Sequence, residues 1–363
     1  MTARRAGLAV VAALAALVLH AGPAGADPPR PTDYRSTVTG FDPATGVVRA
    51  EIVGGDTFLQ LTVDDGHEVV VDGYNREPYL RFRADGTVER NRNSPATYLN
   101  DSRQGDVEVP ASATTDAEPR WEQVATGGDY AWHDHAIHWM GEGAPPGKGP
   151  GDVIQDWSLD LTVDGTPTTV SGRLVWAEPV SPLPWLALAL LAGGAVVAAA
   201  RLLARRAAAE ADDRAGGGAA GLVGPVAALL AAVVATVVGA GQFADAPPGS
   251  GVSPLVVAVP AAGVVAGALG VALWRRAPGV ARGASLGAAA AVLGWAALRL
   301  PVLWKPVLST VLPANVDRAG TALALGLAVA AAFTIVLAAG LGAPLRLARP
   351  EGDEDEAPDR TPA

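Results

Sequence analysis

The stretch WSLDLTVDGTPTTVSGRLVW, residues 157–176, decides the fold of the first half of the chain. Before the Asp164-Gly165 pair, Trp157, Leu159, Leu161 and Val163 alternate with Ser158, Asp160 and Thr162. After it the chain runs on through Val170, Ser171, Gly172, Arg173, Leu174, Val175 and Trp176. A period of two puts alternate side chains on opposite faces of a strand. An Asp-Gly pair supplies the positive-φ residues of a tight turn, so the stretch predicts an antiparallel hairpin. Two further segments repeat the pattern. Leu80 and Phe82 precede Asp85-Gly86, with Val88 after it. Leu59, Leu61 and Val63 precede Asp65-Gly66, with Val69 and Val71 after it. Short strands punctuated by such turns predict an all-β sandwich, immunoglobulin-like or cupredoxin-like, over residues 27–180.

Past Leu183 the physics changes. Five apolar runs, near 184–203, 219–241, 254–274, 284–303 and 319–342, each have the length needed to cross a hydrocarbon core. They predict an all-α transmembrane bundle over residues 181–345. Arg201, Arg205, Arg206 and Arg214 follow the first run, Arg275, Arg276 and Arg282 the third, and Arg346 and Arg349 the fifth. The connections after the second and fourth carry only Lys305 and Arg318. By the positive-inside rule the Arg-rich ends are cytoplasmic, which places the β domain outside the plasma membrane and the C-terminus inside. At the other end of the chain, MTARR followed by AGLAVVAALAALVLHAG and Ala24-Gly25-Ala26 reads as a secretory signal over residues 1–26, with an uncleaved anchor as the alternative. Residues 346–363, containing EGDEDEAPDRTPA, read as a disordered acidic tail.

Composition narrows the function. The chain has no cysteine, which excludes disulfides, thiolate metal sites and thiol nucleophiles. Residues 27–180 hold 26 acidic against 12 basic residues, a net charge of −14, while the whole chain carries −10. Such a field disfavours nucleic acid and mildly favours cations. Within the apolar runs there is no Asp, Glu, His, Met or Lys, which argues against a proton relay, a haem-bearing span or a soft-ligand metal path. Arg299, near the outer end of the fourth run, is expected to snorkel to the interface. Gly263 and Gly267 form a GxxxG pair that suits close helix contact, within the bundle or in a homo-oligomer. Pro260 is expected to kink the third span.

One segment carries chemistry. YAWHDHAIHWMG, residues 130–141, contains three of the five histidines and the only methionine besides Met1. In a strand His133 and His135 share a face about 7 Å apart, whereas His138, Met140 and Asp134 take the other. A bend after Ala136 would bring the two sets together. Imidazoles suit copper, zinc and nickel, and a thioether favours copper(I). The expected ligand set is therefore His133, His135, His138 and Met140, with Asp134 and the remote His67 as additional candidates, for copper first and zinc second. Two other readings stand beside it. The histidines could bond backbone carbonyls in an aromatic-rich segment that binds a protein or glycan, with Trp132 and Trp139 exposed. They could also serve a hydrolase, which requires a serine or bound water to converge with them; no paired carboxylates or nucleophile stand beside them in sequence.

A signal segment, a β domain with WHDHAIHWM, the DWSLDLTVDGTPTTVSGRLVWAEP hairpin and a small-residue bundle together resemble a group of uncharacterised membrane proteins of high-GC Gram-positive bacteria. The resemblance implies architecture and brings no activity with it. The segment is more loosely similar to the copper-resistance periplasmic β-sandwich proteins, which use His and Met ligands. This chain lacks their N-terminal histidine and Met-rich segment, so no residue roles are carried over. The expected function is a membrane-anchored, extracytoplasmic metal-binding accessory, chaperone or sensor protein. Its partners would be the lipid bilayer and other envelope or metal-handling proteins.

Overall fold

A computed structural model describes residues 28–209, 219–248 and 250–340. The signal segment and the acidic tail expected above lie outside the described residues. The first half is a sandwich of two antiparallel sheets. Its ten strands are β1 (Tyr34–Asp42), β2 (Val48–Val53), β3 (Phe58–Val63), β4 (Val69–Asp72), β5 (Pro78–Phe82), β6 (Val88–Asn91), β7 (Trp121–Ala125), β8 (Asp129–His133), β9 (Val153–Val163) and β10 (Thr166–Trp176). The larger sheet has the order β1-β10-β9-β4-β5-β6-β7, and the smaller β2-β3-β8.

The β9–β10 hairpin forms as its alternation predicts. Val163 pairs with Thr166, leaving a two-residue loop in which Asp164 and Gly165 both have positive φ, at 48° and 81°. That turn matches the natural twist of the strands it joins. Trp157, Leu161 and Val163 on β9 and Val170 on β10 point into one core with Leu59 and Leu61 of β3 and Leu80 and Phe82 of β5. Burying each such side chain contributes roughly 1.5–3 kcal/mol. Asp85-Gly86 also closes a hairpin, with Phe82 opposite Val88. The Asp65-Gly66 turn does not. β3 belongs to the small sheet, whereas Val69 and Val71 of β4 pair with Val163 and Leu161 of β9. This turn therefore carries the chain from one sheet to the other.

The second half is five long apolar helices: α1 (Leu183–Ala209), α2 (Ala219–Ala244), α3 (Leu255–Leu273), α4 (Pro278–Arg299) and α5 (Ala314–Gly340). At 1.5 Å per residue even α3 spans about 28 Å, enough for a bilayer core of about 30 Å with its flanking residues. Small residues set the packing. A Cβ added to Gly267 would fall 2.8 Å from the Leu229 backbone, and one added to Gly263 would fall 3.2 Å from Ala232 Cβ. The GxxxG face is thus spent on α2 inside the chain and is not left for a second copy. Pro260 sits within the continuous span of α3.

Arg299 does not snorkel. Its side chain is 7% exposed and its Nη2 lies 2.5 Å from Oδ1 of the fully buried Asp317. The sequence reading began the fifth span at residue 319, past Asp317; α5 starts at Ala314 and takes the carboxylate into its first turn. The pair suits the helix dipoles, with the cation in the last turn of α4 and the anion in the first turn of α5. The guanidinium also bonds Gln242 at the end of α2 and stacks 5.1 Å from the ring of Trp295, whose Nε1 donates to Val256 O on α3. One cluster thereby joins four of the five helices.

The two halves touch through the connection between α4 and α5. Thr32 and Val307 exchange both backbone hydrogen bonds, at 3.0 and 3.2 Å, and Lys305 Nζ lies 2.5 Å from Asp33 Oδ2. Arg318 stiffens this connection by donating to the carbonyls of Val302, Lys305 and Pro306. The β domain therefore sits at the end of the bundle that holds the α4–α5 connection.

Candidate metal centre

The strand β8 ends at His133 because the next residue starts a different structure. Asp134 caps a 3₁₀ turn, His135–Ile137, with its carboxylate accepting from Ala136 N at 2.9 Å. Ile137, fully buried, plugs the turn into the sandwich core. Gln155 on β9 holds the turn from the other sheet, donating to Ala136 O at 2.8 Å and His138 O at 3.2 Å. The expected bend is thus a capped 3₁₀ turn rather than a bulge. It returns the chain so that His138 faces His133.

Three imidazoles meet there. The ring centroids of His133, His135 and His138 form a near-equilateral triangle with sides of 4.8, 5.6 and 5.8 Å. One nitrogen from each lies within 4.8 Å of the other two. His133 and His138 are buried, and His135 is partly exposed. The remaining nitrogens fix the tautomers. His133 Nδ1 donates to Thr57 O at 2.7 Å, and His138 Nδ1 to Trp139 O at 3.1 Å. Carbonyls only accept, so both rings carry their proton on Nδ1 and turn the Nε2 lone pairs toward one another, 3.1 Å apart. His135 is held through Nε2 on Ser102 O at 2.8 Å, which leaves Nδ1 as its ligand atom. This is the arrangement of metal-ligating histidines, whose second nitrogen bonds a carbonyl or carboxylate.

The spacing fits a metal. Two nitrogens at about 2.0–2.1 Å from a tetrahedral ion stand about 3.3 Å apart, close to the observed His133–His138 separation. Lone pairs converging across 3.1 Å attract a shared proton or a cation. The proton is disfavoured: burial, then the Arg103 charge, then His133 pull His138 down to about 3. The same Arg103 charge opposes a metal ion, but Asp56 partly neutralises it across 2.6 Å.

The other expected ligands stand elsewhere. Asp134 is spent on the turn: beyond Ala136 N it accepts from Trp132 Nε1 at 2.9 Å, and burial pushes its carboxyl above the usual range. It caps and orients and does not join the triad. Met140 is 43% exposed in the loop beyond the turn, in contrast to the buried rings of His133 and His138. His67 follows β3 at its Val63 end and bonds Asp164 in the β9–β10 turn at 2.7 Å. His133 pairs with Phe58 at the opposite end of β3, so His67 is at the far end of the sandwich.

The competing readings meet this geometry as well. Trp132 is buried and Trp139 half-buried, with Nε1 donating to Gly143 O, so the segment offers no exposed aromatic platform. Ser102 presents its carbonyl to His135, while its hydroxyl bonds Asp106, so it is not placed as a nucleophile. Sequence reasoning missed Thr57, Ser102, Gln155, Arg103 and Asp56. Three of these act through backbone position or across the two sheets, and no local pattern marks them. Comparisons with protein-family models, curated proteins and solved structures find no match.

Gln155→Ala removes both clamps on the turn without touching a ligand. Outer-shell losses of this kind weaken metal binding by about 10–100-fold. The expected result is about tenfold weaker zinc binding with the same stoichiometry, measured by competition with a chromophoric chelator.

Proposed function

We propose that this chain is a multi-pass plasma-membrane protein whose extracytoplasmic β domain binds one transition-metal ion at His133, His135 and His138. The single observation that carries the reading is the convergence of three tautomer-fixed imidazoles at one point. Three nitrogen donors with an open fourth position suit a borderline divalent ion, and the general affinity order ranks copper(II) above zinc. The acidic β domain adds a mild attraction for cations. The extracytoplasmic assignment rests on Arg201, Arg205 and Arg206 towards the C-terminal end of α1 and on Arg275 and Arg276 between α3 and α4, at the end of the bundle away from the α4–α5 connection. Two of the three ligands are buried, which fits retention and sensing better than rapid hand-over to other metal-handling proteins.

Titration of the full chain in detergent with copper(II) and zinc tests the reading. One ion per chain is expected, with electron paramagnetic resonance of the copper form reporting nitrogen donors. The His133→Ala/His135→Ala/His138→Ala variant should bind at least about a hundredfold more weakly, at the upper end of the effect of outer-shell losses. Met140→Leu should change nothing. Equal binding by the wild-type and triple-variant chains sinks the proposal.

A further inference from the structure

Between the triad and the bundle lies a single short turn, Gly54 to Thr57, which joins β2 to β3. One end of it serves the triad. Thr57 O accepts the Nδ1 proton of His133, and Asp56 holds Arg103, the neighbour of the Ser102 carbonyl that fixes His135. The other end meets the membrane half. A Cβ on Gly55 would fall 2.5 Å from Val307 Cγ1, and one on Gly54 would fall 3.2 Å from Ser309 Oγ. Both glycines have positive φ, at 72° and 81°, so the backbone reaches the α4–α5 connection at a distance no side chain allows. The turn is internally tied: Thr57 Oγ1 donates to Gly54 O at 2.9 Å, and Asp56 N donates to the same carbonyl at 3.0 Å. A shift at one end therefore moves the other.

The contact it makes is equally firm on the bundle side. Val307 is held to Thr32 by two backbone hydrogen bonds, Lys305 is paired with Asp33, and Arg318 of α5 ties down the carbonyls of residues 302, 305 and 306. Arg318 directly follows Asp317, the anion of the buried pair with Arg299. A series of hydrogen bonds thus runs from the His133 ring to the ends of α4 and α5, bridged at Gly55 and Val307 by close packing.

Building on the metal reading above, we propose that metal occupancy of the triad is energetically coupled to docking of the α4–α5 connection on the Gly54–Thr57 turn. The ion favours the docked state by holding His133 against Thr57 O. The docked state in turn favours the ion by presetting the tautomer and position of His133. Coupling of this kind is reciprocal, and factors of about 5–150 are usual. The protein would then report extracytoplasmic metal to its own membrane bundle.

The lack of cysteine allows a clean test. Residues that exchange both backbone bonds in an antiparallel pair have Cα atoms about 5.5 Å apart, within the roughly 4.4–6.8 Å that a disulfide spans. Thr32→Cys/Val307→Cys therefore gives a clamp across the docking contact that opens on reduction. A second variant, Lys305→Glu/Ser309→Asp, sets two negative charges against Asp33 and the Gly54 backbone and drives the halves apart while leaving position 307 free for the clamp. Zinc affinity is measured on the full chain in detergent. The driven-apart variant is expected to bind about fivefold or more weakly than wild type. Adding the clamp to it and oxidising should restore wild-type affinity, and reduction should remove the restoration. In the wild-type chain, zinc should slow amide hydrogen exchange at Thr32 and Val307. If wild type binds zinc but the driven-apart variant binds it equally well, coupling is refuted and the metal site stands. If wild type binds neither zinc nor copper(II), the metal reading fails and the coupling fails with it.

Discussion

Arg299→Met is expected to destabilise the bundle by roughly 3–5 kcal/mol, the usual cost of leaving one partner of a buried ion pair alone. The carboxylate it strands is the reason. Asp317 is fully buried, and its second oxygen already lacks a hydrogen-bond partner, so Arg299 is its principal partner. Thr321, whose hydroxyl donates to Asp317 Oδ1 at 3.5 Å, would remain, but a hydroxyl cannot replace a guanidinium. The variant also removes the cation over Trp295. The double variant Arg299→Met/Asp317→Leu removes both charges and their desolvation together. It should recover most of the loss, since apolar replacements of whole buried pairs are often neutral or stabilising. Thermal unfolding in detergent, followed by helical circular dichroism, gives the comparison. If the single and double variants melt together, the pair contributes little and the packing of α4 on α5 carries the contact. The pair also forms the base of the docking contact, so the single variant should loosen Val307 while the double variant should not.

Why Asp317 escaped the sequence reading is physical. A helix entering a membrane begins in polar surroundings, and a hydropathy window discards residues such as Asn315, Asp317 and Arg318 as flanking loop. Only the tertiary partner on α4 shows that the carboxylate is inside. The β domain divides along the same line. The β9–β10 hairpin was legible because alternation and an Asp-Gly turn are local signals. The Asp65-Gly66 turn looked the same locally but crosses between sheets, because β4 finds its partner in β9, some ninety residues on. The three histidines were legible as a set because they crowd into six residues. Their arrangement was not, since the 3₁₀ turn depends on Asp134 acting as a cap and on Gln155 reaching across from β9. Reading Asp134 as a ligand followed from its chemistry alone, and its neighbours had already claimed its oxygens. Backbone carbonyls such as Thr57 O and Ser102 O leave no mark in a sequence at all.

The metal-free protein should lose stability on mild acidification, and His138 sets the window. Its ordinary value is 6.5, and burial, with Arg103 and His133 adding to it, pulls it down to about 3 in the folded protein. Above both values the ring is neutral folded or unfolded and contributes no pH dependence. Between them the unfolded chain takes up a proton that the folded chain refuses, so stability falls as pH falls, by up to about 1.4 kcal/mol per pH unit. From about pH 7.5 to about pH 5 the loss from this one ring is about 2 kcal/mol, before most carboxylates begin to titrate. Urea unfolding of the chelator-treated chain, followed by tryptophan circular dichroism, measures it. The same titration on His138→Gln should show that part of the slope gone, whatever that variant's stability at neutral pH. An ion bound to the folded state alone adds stability that grows with its concentration, so saturating zinc should raise the whole curve. The zinc-dependent increment should therefore be present in wild type and absent in His138→Gln, and an increment that survives the substitution would place the metal somewhere other than the point where His133 and His138 face each other.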